Sequence, residues 1–323
     1  MVNRLARAYG VHGFNSEGVM TDFNPDNLPD PTPSLPFRLI EPKLQIVPVV
    51  LDVPHAGRQY QQSFREATRL SLSALRRSED AYVDTLFREA VRLGAPMLVA
   101  EFPRAYLDVN REPYELDPRM FDGRLPGFAN TRSMRVAGGL GTIPRIVGDG
   151  QEIYRSKLPV KDAMDRVETL YRPYHQALRN LVARTRNRFG SCILIDAHSM
   201  PSSSTDREGL ARADVILGDR YGTSAGAFVV DLVEQALRRQ GLAVARNRPY
   251  AGGYITEHYG SPTGHVHAVQ IEICRGLYMN ELTLKPHDGF EPLMQALSRM
   301  LAECFAQWVD ISPGAATLPL AAE

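Results

Sequence analysis

Cysteine is scarce in this chain: Cys192, Cys274 and Cys304 are the only three. An odd, widely spaced set makes no disulfide framework. Cys192 and Cys274 lie inside apolar, strand-like runs, where a free thiol behaves as a small hydrophobe. The expectation is a reducing, cytoplasmic setting. Excess charge is also missing, since 37 Lys and Arg balance 37 Asp and Glu. That leaves no electrostatic footprint for nucleic acid or for an anionic membrane surface. No apolar stretch reaches the ~18 residues needed to span a bilayer. The opening "MVNRLARAYGVHGFNSEG" has no continuous apolar core, so no secretory signal is expected there. Internal repeats are absent, and so is any compact metal motif such as His-Glu-x-x-His.

What is present suits a globular enzyme. The chain has 323 residues, 44% of them hydrophobic and 23% charged. That is enough for one large α/β domain or two modest ones. Proline recurs through "NPDNLPDPTPSLPF" (24–37), which disfavours a regular hydrogen-bond ladder. Residues 1–43 are therefore read as an extended arm. Its expected place is the domain surface or a neighbouring subunit of a homo-oligomer. A single α/β domain is expected over 44–311, followed by a C-terminal tail at 312–323.

Within that domain strands and helices alternate. Strands are expected at 44–53, 95–103, 192–197, 213–219, 242–246 and 266–274, and helices at 78–94, 159–189, 224–240 and 288–309. Ser78 would cap the first helix, Gly94 would stop it, and Pro173 would kink the second. Residues 111–152 read as loop. Apolar strands alternating with helices indicate a mostly parallel sheet covered on both faces.

In such sheets ligands collect beyond the carboxyl ends of the strands. His55 follows strand 44–53, His198 follows strand 192–197, and Glu272 lies near the end of strand 266–274. Asp80 opens the helix at 78. Two imidazoles, a carboxylate and a free Glu suit a catalytic zinc site with an open position and a base. Each residue also has an ordinary structural reading. His55 would be a turn residue, His198 a satisfied core histidine, and Asp80 a helix-terminus carboxylate. Glu272 is the hardest to explain structurally. Strand parity sets it with Ala268, Gln270 and Cys274, on the face opposite His267. A carboxylate within "VQIEIC" must be paired or functional if both faces are covered. His175 sits beside Tyr171 and Tyr174 and reads first as packing.

Two further patterns stand out. "GTSAG" (222–226) fits Gly-x-Ser-x-Gly, the serine nucleophile elbow, but "DRY" separates it from the preceding strand. A helix start capped by Thr223 or Ser224 is the favoured reading. "FPRAYLDVNREPYELDPRMF" (102–121) gathers Arg104, Asp108, Asn110 and Arg111 at a strand end. Arginine grips carboxylates with a two-pronged fork. A solvated loop with local ion pairs is the other reading.

Taken in order, "VPHAGR", "RRSEDAYVDTLF", "FPRAYLDVNRE", "YHQAL", "LIDAHSMPS", "NRPYAGGYITEHYG" and "VHAVQIEI" resemble the N-formylglutamate amidohydrolase family over roughly residues 44–285. The resemblance implies a phosphorylase/hydrolase-like α/β fold related to zinc exopeptidases. It implies hydrolysis of N-formyl-L-glutamate to formate and L-glutamate in histidine degradation, or of a related N-acyl amino acid. By the same resemblance His55, Asp80 and His198 would hold Zn2+, with Glu79 a competitor for Asp80. Glu272 would be the catalytic base. Asp196 would take the ring N–H of a ligand histidine, and Ser199 would bond the substrate or a ligand carboxylate. Asn110, Arg111, Arg104 and Arg220 would hold the acidic substrate. Many relatives carry Ser where this chain has Ala56, a change that touches no proposed ligand. Two other readings stay open: a serine hydrolase using Ser224, and a non-catalytic binding protein for acidic amino acids.

Overall fold

A computed structural model describes residues 36–204 and 212–311. Most of the arm, the "MVNRLARAYGVHGFNSEG" segment and the tail at 312–323 lie outside the described residues. Seven strands make the main sheet: β1 (Phe37–Ile40), β2 (Val49–Val53), β3 (Met97–Ala100), β4 (Cys192–Met200), β5 (Val215–Gly218), β6 (Val244–Arg246) and β7 (Val266–Cys274). Their order is β1-β3-β2-β4-β7-β5-β6. β3, β2, β4 and β7 run parallel, and β5 and β6 form a second parallel pair. The β1–β3 and β5–β7 pairings are antiparallel. The architecture is thus a mostly parallel, mixed α/β sheet.

β4 and β7 are buried along all nine residues each, which is why both read as unbroken apolar runs. On one face Leu217, Val269, Ile271 and Ile273 pack under α2 (Ala227–Arg239) and α4 (Phe290–Ile311), through Val229, Val233, Leu297 and Leu301 among others. Each such side chain, fully buried, contributes roughly 1.5–3 kcal/mol. The opposite face is covered by α1 (Arg172–Phe189), which packs on β2, β3 and β4. The short α3 (Tyr254–Tyr259) packs on β4 and β7. Parity behaves as expected. His267 points away from Glu272, and its Nδ1 accepts the Gly226 N–H at the start of α2.

Local departures from the expected elements have identifiable causes. β1 falls inside the segment read as an arm. No proline falls within Phe37–Ile40, and an edge strand needs a partner on one side only. Helix 78–94 is broken, because Tyr82 takes the left-handed conformation (φ 67°) and only Val83–Leu86 and Glu89–Arg92 are helical. The Asp80 N–H bonds to the His55 carbonyl instead of continuing a helix. Ser78 donates its hydroxyl to the Leu75 carbonyl and caps nothing. Gly94 does end the segment, at φ 96°. The long helical stretch runs Val160–Arg166, passes through a π-turn at Val167–Tyr171, and resumes as α1. Pro173 sits in the first turn of α1, where its missing N–H costs little. α2 begins at Gly226 without a side-chain cap. Among the described residues no helix is long and apolar enough to cross a membrane.

Candidate metal centre

Parallel pairing brings the carboxyl ends of β2, β4 and β7 side by side. The β4–β7 register sets His198 opposite Glu272, and the β2–β4 register sets Asp52 opposite Asp196. His55 arrives from the turn after β2, and Asp80 from the interrupted helical segment.

The result is a buried triad. One ligand atom each from His55, Asp80 and His198 lies within 4.8 Å of the others, and all three residues are buried. Each imidazole is fixed from behind. His55 Nε2 donates to Asp108 Oδ1 at 2.7 Å, and His198 Nε2 donates to Asp196 Oδ1 at 2.7 Å. Those bonds select the tautomer that leaves Nδ1 bare in both rings. Both bare nitrogens face Asp80 Oδ2, from His198 at 2.8 Å and from His55 at 3.4 Å. His55 Nδ1 is buried and has no hydrogen-bond partner among the described residues. Two lone pairs converging on a carboxylate oxygen repel unless a proton or a metal cation sits among them, and at His55 Nδ1 no such hydrogen bond is made. The donor set, two nitrogens and one carboxylate oxygen, is one that zinc takes while keeping a position open.

Surrounding groups hold this geometry. Arg275 donates through Nη2 to Asp80 Oδ1 at 2.9 Å and through Nε to Ser199 Oγ at 3.0 Å. The Ser199 hydroxyl in turn lies 3.4 Å from Asp80 Oδ1. Asn110 lines the pocket and braces the centre: Oδ1 accepts the Ile255 N–H, and Nδ2 donates to Asp196 Oδ2 at 3.2 Å and lies 3.0 Å from His198 Nε2. Helix α1 clamps the backbone on both sides of Asn110. His175 Nε2 donates to the Val109 carbonyl at 2.9 Å, and the Tyr171 hydroxyl donates to the Arg111 carbonyl at 2.7 Å. Glu79 points elsewhere, held by buried Arg76 (3.0 Å) and by the Tyr60 hydroxyl (2.8 Å). That leaves Asp80 as the acidic member facing the histidines.

The electrostatics follow from burial and these pairs. Burial opposes the charge on His198, but Asp196 and Asp80, the two carboxylates that would favour a cation at its Nδ1, favour a proton there equally and raise its pKa well above the ordinary histidine value. Burial likewise opposes the charge on Asp108, yet Arg111, His55 and Arg104 keep its carboxyl well below the usual range. Glu272 is pushed up to about 7, first by burial and then by the charge of Asp80. Its Oε1 accepts one hydrogen bond, from Gln270 Nε2 at 2.8 Å. Such a carboxylate is poised to take and return a proton near neutrality.

A pocket of about 630 Å3 opens over the triad and is lined by His55, His198 and Glu272. Its cationic lining is Arg77, Arg104, Arg111, Arg135 and Arg275. Arg104 pairs with Asp108 at 2.8 Å. Arg111 is mostly committed within its own loop, donating to the carbonyls of Leu140 (2.9 Å) and Asn110 (2.7 Å). Arg220 does not line the pocket and pairs with Glu257 at 2.9 Å. Ser224 is also outside it, and its buried hydroxyl donates to the Ala268 carbonyl at 2.8 Å. Sequence reasoning missed Arg275, Gln270 and Arg135. Arg275 directly follows β7 and Gln270 shares the face of Glu272, so both carried a signal. Arg135 sits in a loop-rich segment and carried none.

Comparison with known proteins agrees with the geometry. The family model described as FGase, N-formylglutamate amidohydrolase, matches residues 47–279. An N-formylglutamate deformylase of Pseudomonas putida is 29% identical over 238 residues, covering 73% of this chain and 83% of the relative. One from Pseudomonas aeruginosa is 30% identical with the same coverage. The crystal structure of an N-formylglutamate amidohydrolase from Ralstonia eutropha JMP134 is 36% identical with a TM-score of 0.80. It covers 85% of this chain and 99% of that one.

Proposed function

The chain belongs to the N-formylglutamate amidohydrolase family of hydrolases, and we propose that it hydrolyses the formyl amide of N-formyl-L-glutamate with a divalent metal, zinc, held by His55, Asp80 and His198. The observation that carries the metal reading is the pair of Nδ1 atoms aimed at one Asp80 oxygen, that of His55 without a hydrogen-bond partner among the described residues. Bound there, the cation would supply Lewis acidity to the formyl carbonyl and to the attacking water.

The remaining steps fall to this chain's own side chains. Asp108 and Asp196 fix the histidine tautomers, and Arg275 orients Asp80. Glu272 accepts the water proton and returns it to the departing amine nitrogen of glutamate. Arg104, Arg111 and Arg135 bias the pocket toward a doubly charged anion. Placement of Ser224 beneath β7, with its hydroxyl spent on a carbonyl, weighs against a covalent serine route.

Formate release from N-formyl-L-glutamate, before and after chelation and after zinc is restored, tests the proposal. Activity that disappears and returns supports it. Full activity in protein shown by elemental analysis to hold no stoichiometric metal overturns it. A cytoplasmic location accords with the reduced, buried cysteines.

A further inference from the structure

A second basin, of about 280 Å3, lies apart from the catalytic pocket. Its charged lining is Arg69, Arg119, Arg145, Arg155 and Lys157, with Glu152 the one carboxylate on its wall. The segment 144–147 separates the two cavities. Arg145 faces the basin, while Pro144, Ile146 and Val147 face the catalytic pocket.

Two carboxylates serve three of the five cations. Asp117 pairs with Arg119 at 2.7 Å and Arg145 at 3.0 Å, and Glu152 pairs with Arg145 at 3.3 Å and Arg69 at 3.4 Å. Among the described residues Arg155 and Lys157 have no carboxylate partner. Five positive and two negative charges leave a local excess of three, in a chain whose net charge is zero. Two guanidinium heads are also anchored by carbonyls, that of Arg155 without an acid partner among the described residues. Arg69 Nε donates to the Tyr154 carbonyl at 2.9 Å, and Arg155 Nε donates to the Thr68 carbonyl at 2.7 Å. A carbonyl fixes the fork without neutralising it, so little ordering remains to be done when an anion arrives.

We propose that this basin binds a compact oxyanion of two or more charges, either a phosphate group or a small dicarboxylate. Both present paired oxygens to a guanidinium fork. The test is isothermal titration of the full chain with inorganic phosphate, and in parallel with succinate, at low salt. One saturable site per chain is expected. Affinity should fall at least tenfold in the double variant Arg155→Ala, Lys157→Ala and stay unchanged in Arg135→Ala, which alters only the catalytic pocket. Tighter binding of phosphate assigns the site to phosphate-bearing ligands, and tighter binding of succinate assigns it to dicarboxylates. If the double variant melts early, Lys157→Ala alone, an exposed residue, should still weaken binding at least threefold. Absence of saturable binding by either anion overturns the proposal. So does binding that the basin variants retain and Arg135→Ala removes, since that site would be the catalytic pocket.

Discussion

His175 should impose a measurable pH dependence on stability. It is buried, its Nε2–H is committed to the Val109 carbonyl, and its Nδ1 lies 2.9 Å from the Tyr259 hydroxyl. Burial makes a charge on the ring costly, and the nearby His258 and Arg179 add to that cost. Burial, chiefly, pushes its pKa down to about 3, against 6.5 for an ordinary histidine. Below pH 6.5 the unfolded chain therefore binds a proton that the native protein refuses. Its contribution is fully present above pH 6.5 and is lost as pH falls toward about 3. At 1.36 kcal/mol per unit the whole window is worth about 4–5 kcal/mol, and the drop from pH 6.5 to 5 about 2 kcal/mol. For a chain of this size, with an unfolding entropy of about 2.1 cal/mol/K per residue, that corresponds to a Tm change of about 3 °C. The assay compares Tm at pH 6.5 and 5 in the parent and in His175→Gln. Glutamine can still donate to the Val109 carbonyl but does not titrate. Glu272, raised to about 7 mainly by burial, acts with the opposite sign, because its native carboxyl holds a proton longer than the unfolded one. That contribution is common to both proteins and cancels in the difference. The variant should lose clearly less Tm than the parent over this interval, whatever its absolute stability. Equal losses in the two proteins would refute the reasoning and show that His175 is protonated in the native state.

Three other outcomes are expected. His198→Ala should lose bound metal by elemental analysis and, with it, the added stability that a ligand binding only the native state confers; stoichiometric metal retained at parental affinity would exclude His198 as a ligand. Glu272→Gln should fold, keep its metal and lose ~10² or more in kcat, and in the parent kcat/KM should fall as pH drops through the region of 7, where this carboxylate gains its proton. Arg135→Ala should raise KM for N-formylglutamate about tenfold with kcat nearly unchanged, and should leave N-formylglutamine less affected; identical effects on both substrates would move Arg135 away from the side-chain carboxylate.

The strands were legible because burial leaves a one-dimensional trace. "VHAVQIEIC" must be apolar on both faces, and its single carboxylate then stands out. Position marked out His55, just past β2, and His198, near the end of β4, because the parallel order puts those strand ends together. Tyr82 was not legible, because its helical spacing was sound and the break comes from long-range demands. Arg76 and Tyr60 pin Glu79, and the His55 carbonyl takes the Asp80 N–H. Nor could spacing show that Asn110, which lines the pocket, also braces Asp196 and takes the Ile255 N–H, or that Arg220 turns to Glu257. Both placements depend on which partner is nearest in space, and chemical type does not reveal that. The same limit explains Arg135. A guanidinium on the single helical turn Met134–Ala137 has too little periodicity to betray it, and only the fold of residues 111–152 over the strand ends brings it to the pocket. In this chain, then, sequence locates the groups carried on sheet ends, while the cationic groups that line the pocket from residues 104–135 ride on loop-rich segments whose course is set by contacts far away in sequence.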